Sequence, residues 1–368
     1  MKVQDIQSLI ESWAPREIAW EKDNVGLQCG DPRADVHGIL VALDVTEDVI
    51  AEARRRRANL LISHHPLLFR PVGSVHSGTA TGRCLRALLV NNISLLSAHT
   101  NLDFTVGGTS FALAEALGLE HVSFLHRPYR TQKKIVTFVP PSHVDAVADA
   151  MAEAGAGIIG NYAHCSFRTP GNGTFQGDAS SNPAVGRPGV REEVPEIRLE
   201  MVLQQWDVDR VVRAMKRAHP YEEVAYDIFA SEVPVSSFGM GVLGTLPRAV
   251  RPAAFLRTIK RVLGMAAVRS TPFHTDRVER VAACGGSGSD LLGEAVRQGA
   301  DVFVTADVKY HAFHDALGKI ILVDAGHWET EFPVVRVIAA RLEKEIRRRA
   351  GRLPVRVAST PTNPVRYV

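Results

Sequence analysis

Only four cysteines occur in the 368 residues, Cys29, Cys84, Cys165 and Cys284, and no two of them form a C-x-x-C pair. That scarcity argues against a thiolate zinc site and fits free thiols in a reducing compartment better than a disulfide framework. Metal chemistry here would have to rest on histidine and carboxylate. Long apolar runs are also missing: nothing approaches the roughly 18 residues that span a bilayer. The N-terminus, MKVQDIQSLIESW, has no apolar core ahead of a small-residue cleavage site, so a soluble, cytoplasmic protein without a membrane partner is expected. A large excess of one charge sign is absent too, with 43 lysines and arginines against 40 aspartates and glutamates. The formal net charge is +3, which points to no particular polyanion and leaves a nucleic-acid role open. The arginines at 54–57 read as the solvated end of a helix rather than a nucleic-acid patch.

What is present is enough apolar material for two packed domains, at 45% hydrophobic residues over a length beyond one average core. Val3, Ile6, Leu9, Ile10 and Trp13 form a helical stripe. GILVALDV then reads as a buried strand, TEDVIAEARRRR as a helix with Thr46 at its N-cap, and NLLISHH as the next strand. GRCLRALLVNN is a further helix and ISLLSAH a further strand. Strands separated by helix-length segments predict βαβ units and an open, mostly parallel α/β sheet.

From residue 132 to 233 the pattern changes to strand, helix, a glycine-rich span around NYAHCSF, strand, helix, strand. VDAVADAM and VDRVVRAM, at 144–151 and 208–215, are a weak internal repeat of the kind two halves of a ferredoxin-like module show. The glycine- and proline-rich stretch 170–188 reads as a long loop or hairpin within it. His164, Cys165 and His219 lack ligand spacing and read as structural or surface groups. The α/β pattern resumes afterwards, so residues 1–131 and 234–368 are expected to form one α/β core, split by an inserted α+β domain at 132–233.

Within that core, histidines and carboxylates recur where strands end. In SHHPLLF the strand must stop near His64 and His65, because Pro66 has no N–H for a ladder. AHTNLDF carries His99 and Asp103 just past the next strand, and a charged carboxylate beside such an apolar run wants a cation. In GHWETE, His327 and Glu331 are four apart at a helix start and share one face. Ligands of open α/β sheets bind at the carboxyl ends of strands, so these six groups are expected on one rim of the sheet. Six exceed what one zinc needs. A pair of metals sharing carboxylate bridges accounts for them, with Asp103 and Glu331 as bridging candidates. Imidazole and carboxylate suit zinc, iron, manganese and nickel alike. The turn CGGSGSD is similar to a phosphate-cradling turn but lacks the Walker lysine, which favours a plain strand-to-helix turn. Asp307, Lys309 and His311 follow the next strand.

Together, SHHPLLF, AHTNLDF, DNVGLQCGD, GGSGSD, TADVKYH and GHWETE resemble the motifs of the NGG-one-interacting-factor-three-like family, dinuclear-metal proteins also known as type-two GTP cyclohydrolase I homologues. GAGIIGNYAHCSF and HPYEEVAYD resemble the PII- or CutA-like insert of its longer bacterial members. The resemblance implies metal ligands at His64, His65, Asp103, His327 and Glu331, with His99 in some descriptions a further ligand. It implies two divalent ions per subunit (zinc, iron or manganese), a homohexameric toroid with the sites facing inward, and a GTP cyclohydrolase type of hydrolysis that opens the ring and releases formate. Ala306 stands where the family usually has glycine. Glu331 is the expected catalytic bridging carboxylate. His99 or His311 would move the proton, and GGSGSD with Lys309 would hold a triphosphate. Two other readings compete: a metal-dependent phosphodiesterase or nuclease, and a non-enzymatic regulatory ring whose insert senses a ligand.

Overall fold

Four-residue apolar runs, each too short for a helix and most followed by an amphipathic stretch, organise the larger part of the chain. The computed structural model describes residues 1–127, 131–233, 238–349 and 352–367. It divides into two units, Met1–His126 with Ser237–Val368, and Arg127–Ser236.

Helix α1 (Val3–Glu11) buries Val3, Ile6, Leu9 and Ile10, the stripe read from the sequence. After β1 (Gly26–Cys29), strand β2 (Ile39–Ala42) leads through α2 (Glu47–Arg55) to β3 (Leu60–Ser63). Helix α3 (Ala80–Val90) leads in turn to β4 (Ser94–Ser97). Thr46 caps α2, its hydroxyl accepting the Val49 amide at 3.2 Å, and so satisfies one of the N–H groups that a helix start leaves without a partner. The short α4 (Thr100–Asp103) and α5 (Thr109–Ala116) follow, then β5 (Glu120–His126).

The second unit is built from β6 (Gln132–Val139), α6 (Val144–Glu153), β7 (Phe167–Gln176), β8 (Arg191–Gln204), α7 (Val208–Ala218) and β9 (Tyr226–Ala230). The strands pair antiparallel in the order β7-β8-β6-β9. Val147 and Met151 of α6 and Val211 and Met215 of α7 pack on Ile135, Leu199 and Met201. Of the two readings of the Gly/Pro-rich stretch, the hairpin is the one found. Pro170 is tolerated because β7 is an edge strand. His219 is buried and structural: its Nε2–H donates to Phe138 O at 3.0 Å and its Nδ1 accepts the Tyr221 amide at 3.1 Å.

The first unit resumes with β10 (Met240–Val250), α8 (Pro252–Leu263), β11 (Arg269–Ser270), β12 (Val278–Ser287), α9 (Leu292–Arg297) and β13 (Val302–Ala306). It ends with α10 (Tyr310–Ala316), β14 (Ile321–Asp324), α11 (His327–Arg348) and β15 (Val355–Val357). The single open sheet expected for this core is corrected to two. One has the order β1-β4-β3-β2-β15 and the other β11-β14-β13-β12-β10-β5. The split arises after α5, where β5 does not join β4 but pairs antiparallel with β10, which pairs antiparallel with β12. Within each sheet the strands β2, β3, β4 and β13, β14 are parallel and buried at every position, as continuous apolar runs covered on both faces should be. Helix α5 serves both cores, with Ala112 in the cluster of Ile62 and Leu96, and Leu113 in that of Val281 and Val304. Among the described residues no helix is long and apolar enough to cross a membrane.

Candidate metal centre

The parallel strands of the two mixed sheets deliver their ends to one place. Ser63 ends β3, and the next two amides, of His64 and His65, still bond to Ala42 O and Leu43 O at 3.2 and 2.9 Å, which holds both imidazoles at the rim. His99 is the N-cap residue of α4, one residue past the Ala98 amide that bonds back to Ser63 O. From the other sheet, β14 ends at Asp324, Gly326 turns the chain at φ 73°, and His327 and Glu331 open α11 one turn apart. His64, His65, His99, Asp103, His327 and Glu331 therefore converge, but from two sheets rather than one rim.

The donor atoms form two overlapping triads that share His65. Those of His64, His65 and His99 lie within 4.8 Å of one another, and so do those of His65, His327 and Glu331. Asp103 Oδ1 is 3.5 Å from His64 Nε2. Glu331 Oε2 is 2.9 Å from His65 Nε2 and 3.1 Å from His327 Nε2, and its Oε1 is 3.8 Å from His64 Nε2. His64 and Glu331 are buried, whereas His65, His99 and His327 are partly open to solvent.

All four imidazoles are oriented in the same way. Nδ1 of His64 meets Ala98 O at 2.8 Å, that of His65 meets Asp44 at 2.7 Å, that of His99 meets Asp23 at 2.9 Å, and that of His327 meets Asp307 at 2.6 Å. A carbonyl or ionised carboxylate can only accept, so each Nδ1 carries a proton, and in the neutral ring each Nε2 presents a lone pair to the cluster. This is the arrangement that orients metal-ligating histidines. Facing them, His64 Nε2, Asp103 Oδ1 and Glu331 Oε2 are buried without a hydrogen-bond partner. Buried polar atoms left this way are unfavourable unless a cation completes them, so the residues present fit divalent metal.

The electrostatics point the same way. Burial opposes a charge on His65, yet Asp44 and Glu331 push it up to about 10. Glu331, with Asp307, likewise raises His327 to about 9. Burial would raise Glu331, but His327, His64 and His65 hold it well below the usual carboxylate range. Burial pushes Asp103 up, with the Glu331 charge adding to it against His64. The pocket thus has a strong affinity for positive charge. Burial alone would raise Asp23 as well, but bonds from His99 and Thr100 hold it at about 2, so it remains an anion behind His99.

Gly286, in GGSGSD, belongs to this centre. Its φ is +63°, and a Cβ there would lie 2.1 Å from Glu331 Oε1 and 3.3 Å from His327 Cε1. The glycine makes room for the carboxylate. The amides of Gly285, Gly286 and Gly288 donate to the hydroxyls of Ser110, Thr330 and Thr305, so none of the three is free to cradle phosphate. His311, the other proton carrier expected from the sequence, follows Lys309 and Tyr310. It is exposed on α10 with its ring against Tyr310, and no contact joins it to the cluster among the described residues. The chain turns at Asp307, φ 52°, and that residue rather than His311 reaches the site. Lys309 is exposed at the N-cap of α10.

Sequence reasoning missed the roles of Asp23, Asp44 and Asp307. The signal was there, since Asp44 and Asp307 lie within two residues of the ends of β2 and β13, next to the strands that deliver the ligands.

A Halalkalibacterium halodurans protein named GTP cyclohydrolase 1 type 2 homolog is 36% identical over 368 residues, covering 99% of this chain and 98% of its own. A Bacillus subtilis protein of the same name is 36% identical over 367 residues, with 99% and 98% covered. The crystal structure of a Bacillus cereus protein related to NIF3 superposes with a TM-score of 0.85 at 36% identity, covering 100% of this chain and 99% of that one. The profile described as Duf34/NIF3 (NGG1p interacting factor 3) matches residues 1–364, and the chain belongs to that family.

Proposed function

We propose that the cluster is a dinuclear divalent-metal centre, held by His64, His65, Asp103, His327 and Glu331, of a metal-dependent hydrolase of the GTP cyclohydrolase type. The observation that carries this reading is the convergence of four Nε2 lone pairs on buried carboxylate oxygens that lack hydrogen-bond partners. Zinc, iron and manganese all suit this donor set. The relatives' name, GTP cyclohydrolase 1 type 2 homolog, supports a purine nucleotide as substrate.

When bound, a divalent pair supplies Lewis acidity and brings water from a pKa of 15.7 to about 7, so that a nucleophile exists at neutral pH. Glu331 lies between the imidazoles of His65 and His327, with Asp103 on the His64 side, so these two carboxylates would hold the ions together with the three imidazoles. Ala98 O, Asp44 and Asp307 hold the rings of His64, His65 and His327 in the ligating tautomer, and Asp23 turns the Nε2 of His99 towards them in the same way. His99, partly solvent-open and backed by an ionised Asp23, is placed to carry a proton between the centre and water. Two water molecules are consumed: the first opens the substrate's imidazole ring by breaking one C–N bond at the carbon between its nitrogens, leaving an N-formyl group, and the second breaks the remaining C–N bond and releases that carbon as formate.

The insert is read as ferredoxin-like, supported by its antiparallel strand order β9-β6-β8-β7 with two helices packed on the sheet. The working form is proposed to be a cytoplasmic hexameric ring, for which light scattering should give six times the chain mass. The enzymatic reading is tested by formate release from GTP after loading with zinc, manganese or iron. Turnover that Glu331→Gln abolishes supports it. No formate with any of the three metals overturns it, and cleavage of a phosphodiester by the same loaded protein would put the phosphodiesterase reading in its place.

A further inference from the structure

Phe69 ends the SHHPLLF segment, and although large and apolar it is 51% exposed. Its ring stands edge-on to His99, with centroids 6.3 Å apart at 85°. The His99 ring is itself 5.3 Å from that of His64 and 5.6 Å from that of His65. An aromatic side chain thus lies one ring beyond the cluster, partly in water. The loop that carries it is held tightly. Asn24 Nδ2 donates to Leu68 O at 2.6 Å, the Leu68 amide donates to Gln28 Oε1 at 2.9 Å, and Gln28 Nε2 donates to Asn24 O at 2.7 Å. Two carboxamides therefore fix both backbone groups of the residue before Phe69. The backbone of Trp20, 57% exposed, is tied to Thr100, the neighbour of His99, through its amide, and its ring stands edge-on to Phe104 with centroids 5.8 Å apart. Ordering a loop so firmly while leaving its apolar tip exposed is what a preorganised contact surface requires.

We propose that Phe69 is the stacking platform for the purine base of the nucleotide handled at the metal centre. This rests on the cyclohydrolase-type reading, in which a ring carbon of the base, not a phosphate, must reach the cluster. An aromatic one ring away from the ligands fits that need, whereas phosphodiester cleavage would bring phosphate there and leave the base further out. Stacking makes no hydrogen bonds, so Phe69 selects a planar heteroaromatic against sugar phosphates without distinguishing one purine from another.

The test is equilibrium binding of GTP and of inorganic tripolyphosphate to the metal-loaded full chain, with metal content and formate release measured alongside. Phe69→Leu, which keeps apolar bulk but no π-face, should weaken GTP binding by about tenfold to a hundredfold while tripolyphosphate affinity and metal content stay unchanged. Phe69→Trp should restore GTP affinity. Three results overturn the proposal: GTP bound equally well by Phe69→Leu, GTP and tripolyphosphate weakened in parallel, or wild-type protein that binds GTP no better than tripolyphosphate. Stacking-dependent GTP binding without formate would sink the reaction and spare the platform, whereas formate release indifferent to Phe69→Leu would do the reverse.

Discussion

His65 is held between two carboxylates: its Nδ1 is 2.7 Å from Asp44 Oδ1 and its Nε2 is 2.9 Å from Glu331 Oε2. Asp44 in turn accepts the Thr362 hydroxyl at 2.5 Å, so the C-terminal segment reaches the partner that orients a ligand. Asp44→Ala should therefore cost about 10- to 100-fold in metal affinity, the usual effect of losing such a partner, with little change in fold. Competition against a chelator measures it, and unchanged affinity would mean that Asp44 does not set the ring.

Metal analysis of purified, loaded protein should return two divalent ions per chain, and one or none would end the dinuclear reading. Stripping them with a chelator should lower the melting temperature in a metal-dependent way, because a ligand that binds only the folded state stabilises it by mass action. Glu331→Gln should reduce the metal content and shrink that shift.

Gly286→Ala should empty the centre. The backbone there has φ +63°, and the new methyl would fall 2.1 Å from Glu331 Oε1. A disfavoured conformation of this kind costs about 1–3 kcal/mol, so a lower melting temperature should accompany the loss of metal. Full metal occupancy in this variant would show that Glu331 can be held from elsewhere.

Glu52 offers a pH dependence away from the metal. It is buried on α2 and accepts the amides and hydroxyls of Ser359 and Thr360, with Arg56 beside it. Burial would raise its pKa, but these donors hold it at about 2 against an ordinary 4.5. A lowered folded-state pKa means the unfolded chain takes up the proton first. The contribution is complete above about pH 4.5 and disappears as pH falls towards 2. In denaturant titrations the gap between wild type and Glu52→Gln should be constant near neutrality and close over that window. A gap that widens in acid would contradict the clamp.

Replacing residues 132–233 by a short flexible linker should leave metal content intact. His126 and Met240 are cross-strand partners in β5 and β10, so the segments flanking the cut are already paired. A shortened protein that folds but holds no metal would refute the independence of the insert.

Local chemistry was legible in the chain itself. Pro66 ends β3 at the histidines, Thr46 caps α2, and the four-residue spacing of His327 and Glu331 puts them on one face, because each depends on a few neighbouring residues and a fixed backbone period. The motifs therefore named the ligand candidates before any coordinates. What the chain could not reveal was anything decided by pairing across long separations. That β5 joins β10 and divides one expected sheet into two, that Asp23 stands behind His99 across 76 residues, and that Asp307 rather than His311 reaches His327 are all outcomes of packing. Strand ends can be read from local pattern, whereas the sheet they join and the carboxylate that meets each imidazole depend on how whole elements bury their apolar faces together, which only the tertiary structure decides.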